Sequence, residues 1–187
     1  MRQFASSGFR IWNLSREAKV VYTGFGLFAL LALFVSMLFY EDLVGAQNGV
    51  KNYYAGETGR ANEEAPASRA NIEIPDEPQR LVVAVTYRKL LEVTHFHLFT
   101  VPVFMLIIAH LFMLTALRPV TKVAWIAGGW ISSLLHLGAP WLIHYGTARL
   151  AWLYGVSGAF MGVTMTVLTV YPMVVMWRGR RAADEAL

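Results

Sequence analysis

An all-α integral membrane protein, a bundle of four transmembrane helices with a polar extracytoplasmic loop between the first and second, is what this 187-residue sequence predicts. Three observations carry the prediction. Hydrophobic residues make up 56% of the chain and charged ones only 15%, too apolar a balance to keep the surface of an ordinary soluble domain wet. The apolar residues fall into four blocks instead of being spread along the chain. Basic residues gather beside the ends of those blocks and so orient them.

Residues 1–19 read as a cytoplasmic N-terminal segment. "RQFASSGFRIWNLSR" interleaves Phe4, Phe9, Ile11, Trp12 and Leu14 with arginine, the pattern of a short amphipathic helix lying along the membrane surface. The first span, "VVYTGFGLFALLALFVSMLFY" over 20–40, carries no charge and stops before Glu41 and Asp42. At about 1.5 Å per residue it covers about 30 Å, the thickness of a bilayer core. Its length and long basic flank favour a retained anchor over a cleaved signal peptide.

The segment 41–91 is polar and rich in Gly, Asn, Glu and Pro, which predicts an irregular excursion, with "VKNYY" free to dock on the bundle or on a partner. Asp76 followed by Pro78 reads as a helix start, and "RLVVAVTYRKLL" has helical spacing, so a helix is expected to lead straight into the second span. That span runs over about 93–117, the third over 123–145 and the fourth over 151–177, followed by a tail at 178–187. Pro102, Pro140 and Pro172 lie inside the last three, where proline bends a helix and frees a carbonyl. Gly155, Gly158 and Gly162 permit close approach along the fourth.

Arg2, Arg10, Arg16 and Lys19 precede the first span, Arg118 and Lys122 lie between the second and third, and Arg178, Arg180 and Arg181 follow the fourth. The positive-inside rule places all three groups, and both termini, in the cytoplasm of a bacterial-type inner membrane. The net charge of +4 therefore points to lipid headgroups and not to nucleic acid. Cysteine is absent, which excludes disulfides, thiolate metal sites, iron–sulfur clusters and covalent haem attachment.

All five histidines, His95, His97, His110, His136 and His144, lie in the second and third spans. An imidazole in hydrocarbon needs a partner for its ring nitrogens. A hairpin turning near Pro119 and Val120 pairs residues whose numbers add to about 240, which sets His144 level with His95 and His97. His95 and His97 point about 200° apart, and His95 shares a face with His110, about 22 Å further along the helix. The level partner of His110 would be Trp130, and His136 lies only about 12 Å from His144, so a second regular pair does not close. Two neutral imidazoles on neighbouring helices can grip one porphyrin, and without cysteine the haem would be b-type.

In its four spans and helix-borne histidines the chain resembles the small four-helix membrane cytochromes b that anchor respiratory enzymes and work with quinone. The resemblance implies a subunit of a membrane oxidoreductase, not a free-standing enzyme, that passes electrons between quinone and other subunits of a redox complex. It implies His95 or His97 with His144 as haem ligands, and then His110 and His136, for one or two haems. Tyr145, Tyr171 and Trp141 are candidates for a quinone pocket or for simple packing. Two other readings stand beside it. One is a noncatalytic subunit that docks a periplasmic partner through 41–91. The other is a His-lined metal or proton conductor, which needs polar residues at more than one depth, a need that His110 and His136 meet in part; separately, Glu92, His95, His97 and His144 could form a divalent site suited to zinc, copper or iron. For Glu92 an ion pair with Arg149 is the simpler expectation. For His110 and His136 the simpler one is a hydrogen bond to a hydroxyl such as Ser132 or Ser133.

Overall fold

The computed structural model describes residues 9–45, 49–56 and 83–179, and every regular element among them is helical. Four helices are long and apolar enough to cross a membrane. Helix α1, Arg16–Gly45, starts where the Ser15 side chain accepts from Ala18 N. Helix α2, Gly49–Ala55, is a two-turn strap that ends at Gly56, whose φ of 74° suits a helix stop without a Cβ. Helix α3 is Tyr87–Met113, α4 is Pro119–Trp141 and α5 is Ala151–Arg178. Two residues past Pro140, α4 loosens into a π turn over Leu142–Gly146, and a 3-10 turn at Ala148–Leu150 leads into α5. A proline missing its N–H opens the hydrogen-bond ladder, and the wider turn follows it.

Three sequence expectations need correction. Residues 83–86 are not helical, so α3 does not run on from Asp76 and Pro78, which lie outside the described residues. It starts instead at Thr86, whose side chain accepts from Lys89 N. The second span also stops early. Thr115 Oγ1 donates to the Phe112 carbonyl and the backbone tightens at Leu114 and Thr115. Pro119 then occupies the first turn of α4, a favoured place for a residue without an N–H. Finally, the described part of the N-terminal segment is no amphipathic helix. It is a single 3-10 turn at Ile11–Asn13, with Ile11 1% exposed against Leu111, Val175 and Met176. Ile11 N donates to the Leu114 carbonyl at 3.1 Å, and Arg10 reaches the Thr115 carbonyl.

Helix α5 is the hub, touching α1, α2, α3 and α4. Only 11% of the most apolar window of α1 is buried, against 39% for α5, so α1 turns most of its surface to lipid. The end bearing the α3–α4 connection, here the turn end, holds a core of Met105, Ile108 and Phe112 from α3 with Met165 and Leu168 from α5. The end bearing α2, the strap end, holds a smaller cluster of Val50, Tyr54, Leu90 and Ile143. "VKNYY" belongs to α2 and docks there on the bundle. At the fourth-span glycines, Gly155 and Gly158 lie against Tyr40 of α1, whereas nothing stands near Gly162.

Candidate functional site

Between α3 and α4 at the strap end lies a cavity of about 150 Å³, roofed by Tyr53 and Tyr54 of α2 and flanked by Tyr154 of α5. His97 and His136 both line it. Their pairing follows from where the hairpin turns. Because α3 stops at Met113 and α4 starts at Pro119, the pivot is Ala116 and not Pro119–Val120. Moving a pivot by about four residues shifts each level partner by about eight, or about 12 Å along the helix. His136 thus takes the place that the sequence-based register assigned to His144. The Trp141 indole donating to Thr94 Oγ1 at 2.8 Å, and Leu90 clustering with Ile143, fix the same register.

Hydrogen bonds set the ring orientations. His97 Nδ1 lies 2.7 Å from the Val93 carbonyl, one turn back on its own helix. A carbonyl only accepts, so Nδ1 carries the proton and Nε2 keeps its lone pair. His136 Nδ1 lies 3.3 Å from Ser157 Oγ, and its ring packs on Tyr154 with centroids 4.4 Å apart. Burial, with Tyr154 beside it, pushes the Tyr54 phenol well above its usual range, so it stays a neutral hydrogen-bonding group. The rest of the lining is mostly apolar, with Val93, Val101, Leu137 and Met161, but it includes Lys89, Thr94 and Ser133.

The other histidines stand apart from this cavity. His144 Nδ1 donates to the Tyr54 carbonyl at 2.7 Å, tying the strap to the π turn, and its ring meets Tyr145. His95 is exposed on α3, flanked by the Phe96 and Phe99 rings. His110 is part-buried toward the turn end, about 20 Å along α3 from His97. Glu92 pairs with Lys89 at 3.4 Å and not with Arg149. Ser132 and Ser133 donate to the Gly129 carbonyl, so the hydroxyl beside His136 is Ser157 and neither of those two. Among the described residues no group of three or more His, Cys, Asp or Glu side chains could hold a metal ion.

The aromatic residues singled out in the sequence also lie elsewhere. Trp141 and Tyr145 stack at the strap end, and Tyr171 packs on Phe112 in the turn-end core. Tyr53, Tyr54, Tyr154 and Ser157 are the site residues that sequence reasoning passed over. The one available signal was Pro119, a helix-start residue that would have corrected the pivot.

Residues 45–183 match the Aq_1264_TM family, a transmembrane helical domain, and the chain belongs to that family. No curated protein and no solved structure matches it. The protein is thus a multi-pass membrane protein whose four spans contact lipid.

Proposed function

We propose that the chain is a membrane subunit of an electron-transfer complex in which His97 and His136 would hold haem b, and that it exchanges electrons with quinone. The observation that supports this is the pair of imidazoles on adjacent helices at one depth, lining one cavity, each with Nδ1 engaged and Nε2 spare. That donor set suits haem, which supplies one-electron redox chemistry when bound. The absence of cysteine makes the attachment noncovalent.

A space of about 150 Å³ is smaller than the usual cofactor pocket of about 300 Å³ or more, so the macrocycle needs one wall to give way. The wall that packs least is α3, exposed at every residue from Leu91 to Thr100 except Thr94. With one facing pair, the stoichiometry is about one haem per chain. The strap end faces the extracytoplasmic side, because Arg16, Lys19, Arg118, Lys122 and Arg178 lie at the turn end.

The test is the visible spectrum and pyridine hemochrome of protein purified from cells with ample haem. Reduced protein shows sharp b-type bands, His97→Ala and His136→Ala lose them, and His95→Ala and His144→Ala keep them. Loss in His144→Ala with retention in His136→Ala would restore the ligand pair expected from the sequence. A colourless, well-folded preparation sinks the haem reading and leaves a docking subunit. Orientation is read separately: a cysteine placed at Ala67 reacts with an impermeant maleimide in spheroplasts and one at Ala183 does not.

A further inference from the structure

We infer that Ser157 is a positioning residue that fixes the tautomer and rotation of His136, so that Nε2 is the atom offered to an acceptor or an iron. The inference rests on the reading of His136 as a haem ligand. Ser157 is 3% exposed. Its hydroxyl donates to the Tyr154 carbonyl, one turn back on α5, at 3.2 Å. A serine hydroxyl has one proton to give. With that proton spent on Tyr154, Oγ turns its lone pairs toward His136 Nδ1 at 3.3 Å, and the ring nitrogen is the donor.

Two further contacts from α5 remove the alternatives. Tyr154 covers one face of the ring. Gly158 meets its Cε1 edge so closely that a Cβ there would lie 3.0 Å from Cε1. The imidazole is therefore held by three nearly consecutive residues, Tyr154, Ser157 and Gly158. His97 differs, since its Nδ1 bonds only to its own helix. A ligating imidazole whose other N–H is held by an oxygen is fixed in orientation and made more basic, and losing such a partner weakens binding about 10- to 100-fold. Of the two imidazoles, His136 is the one with a dedicated partner from another helix.

The experiment compares wild type, Ser157→Ala and Ser157→Thr as full chains in detergent, at matched expression. Haem dissociation and the midpoint potential are measured on haem-loaded protein. The tautomer of His136 is read by nitrogen-15 NMR on protein prepared without haem supply. Ser157→Ala loses haem about 10-fold faster and has a raised potential, because a less basic imidazole stabilises the ferric state less. Its NMR signal moves from Nδ1–H toward a tautomer mixture, and Ser157→Thr restores all three readouts. Unchanged dissociation, potential and tautomer in Ser157→Ala overturn the inference, as does an Nε2–H tautomer in wild type. If wild type binds no haem, the ligand reading fails by itself, and the tautomer still decides whether Ser157 orients His136.

Discussion

At the turn end of the bundle Met105, Ile108 and Phe112 of α3 are buried against Met165 and Leu168. At the strap end nine of the ten residues from Leu91 to Thr100 on that helix are exposed. The two halves share one helix, and the strap half, which carries Glu92, His95 and His97, is the more polar of the two. In lipid an apolar face gains little by leaving hydrocarbon, and packing is decided by fit and by polar partners. The turn end uses fit: at Gly129 a Cβ would meet the Met105 and Leu168 side chains. The strap end uses hydrogen bonds, from Trp141 to Thr94, His144 to Tyr54, His136 to Ser157 and Tyr40 to Gly155. Loose packing around a cavity and strong polar anchors at its rim suit a place where something binds.

The sharpest way to break this contrast is to truncate one side chain from each half of α3. Phe112→Ala should cost about 3 kcal/mol or more, and Val93→Ala less than about 1 kcal/mol, measured as reversible unfolding in mixed micelles. Similar losses at both positions would mean the strap end is packed as tightly as the turn end.

A second test adds atoms instead. Gly158→Ala puts a Cβ 2.7 Å from Tyr40 Cε2 and 3.0 Å from His136 Cε1, both on rigid rings, and should destabilise by about 1 to 3 kcal/mol. At Gly26→Ala the nearest atoms belong to the flexible Met173 side chain, and Gly162→Ala meets nothing within 4 Å. Both should stay within about 1 kcal/mol of wild type, and a large loss in Gly162→Ala would contradict its open surroundings.

The smallest expected effect sharpens the polar half. Thr94→Val removes the acceptor of the Trp141 indole and should cost about 0.6 kcal/mol, the usual size of such a bond between membrane helices. Tryptophan fluorescence of the same variant reports whether Trp141 has left its place, and an unmoved spectrum would show that stacking with Tyr145 is enough to hold it.

How far the sequence could be read depends on what each feature needs. Four spans were legible because a bilayer demands long uncharged runs, and those runs stand out in one dimension. The pairing of spans was legible only to within a few residues, and here that error was decisive. Reading the second span to Leu117 made Pro119 the turn and not the start of a helix, and the misplaced pivot exchanged His136 for His144. Docking of "VKNYY" on the bundle was legible, but not that Tyr53 and Tyr54 roof a cavity, because a two-turn helix in a polar stretch has no periodicity long enough to say which face it turns inward. Ser157 escaped because its role depends on which face of α5 meets α4. In a helix apolar on nearly all sides, the sequence pattern does not say which.

The bond from Ile11 to the Leu114 carbonyl bears on how the protein is made. A chain leaving the ribosome at about 5 to 20 residues per second needs on the order of ten seconds to pass from one of these residues to the other. During that interval α1 has no α3 or α5 to lean on. It is suited to the wait, with a mean hydropathy of 2.1 over its most apolar stretch and little of that stretch buried in the finished bundle. Arg16 and Lys19 hold its entry side without help from the arm. The arm closes over the bundle only after α3 has threaded the membrane. A helix inserted the wrong way round would leave Ile11 and Leu114 on opposite faces of the bilayer, so the finished clamp forms only when the first two crossings have been made in order.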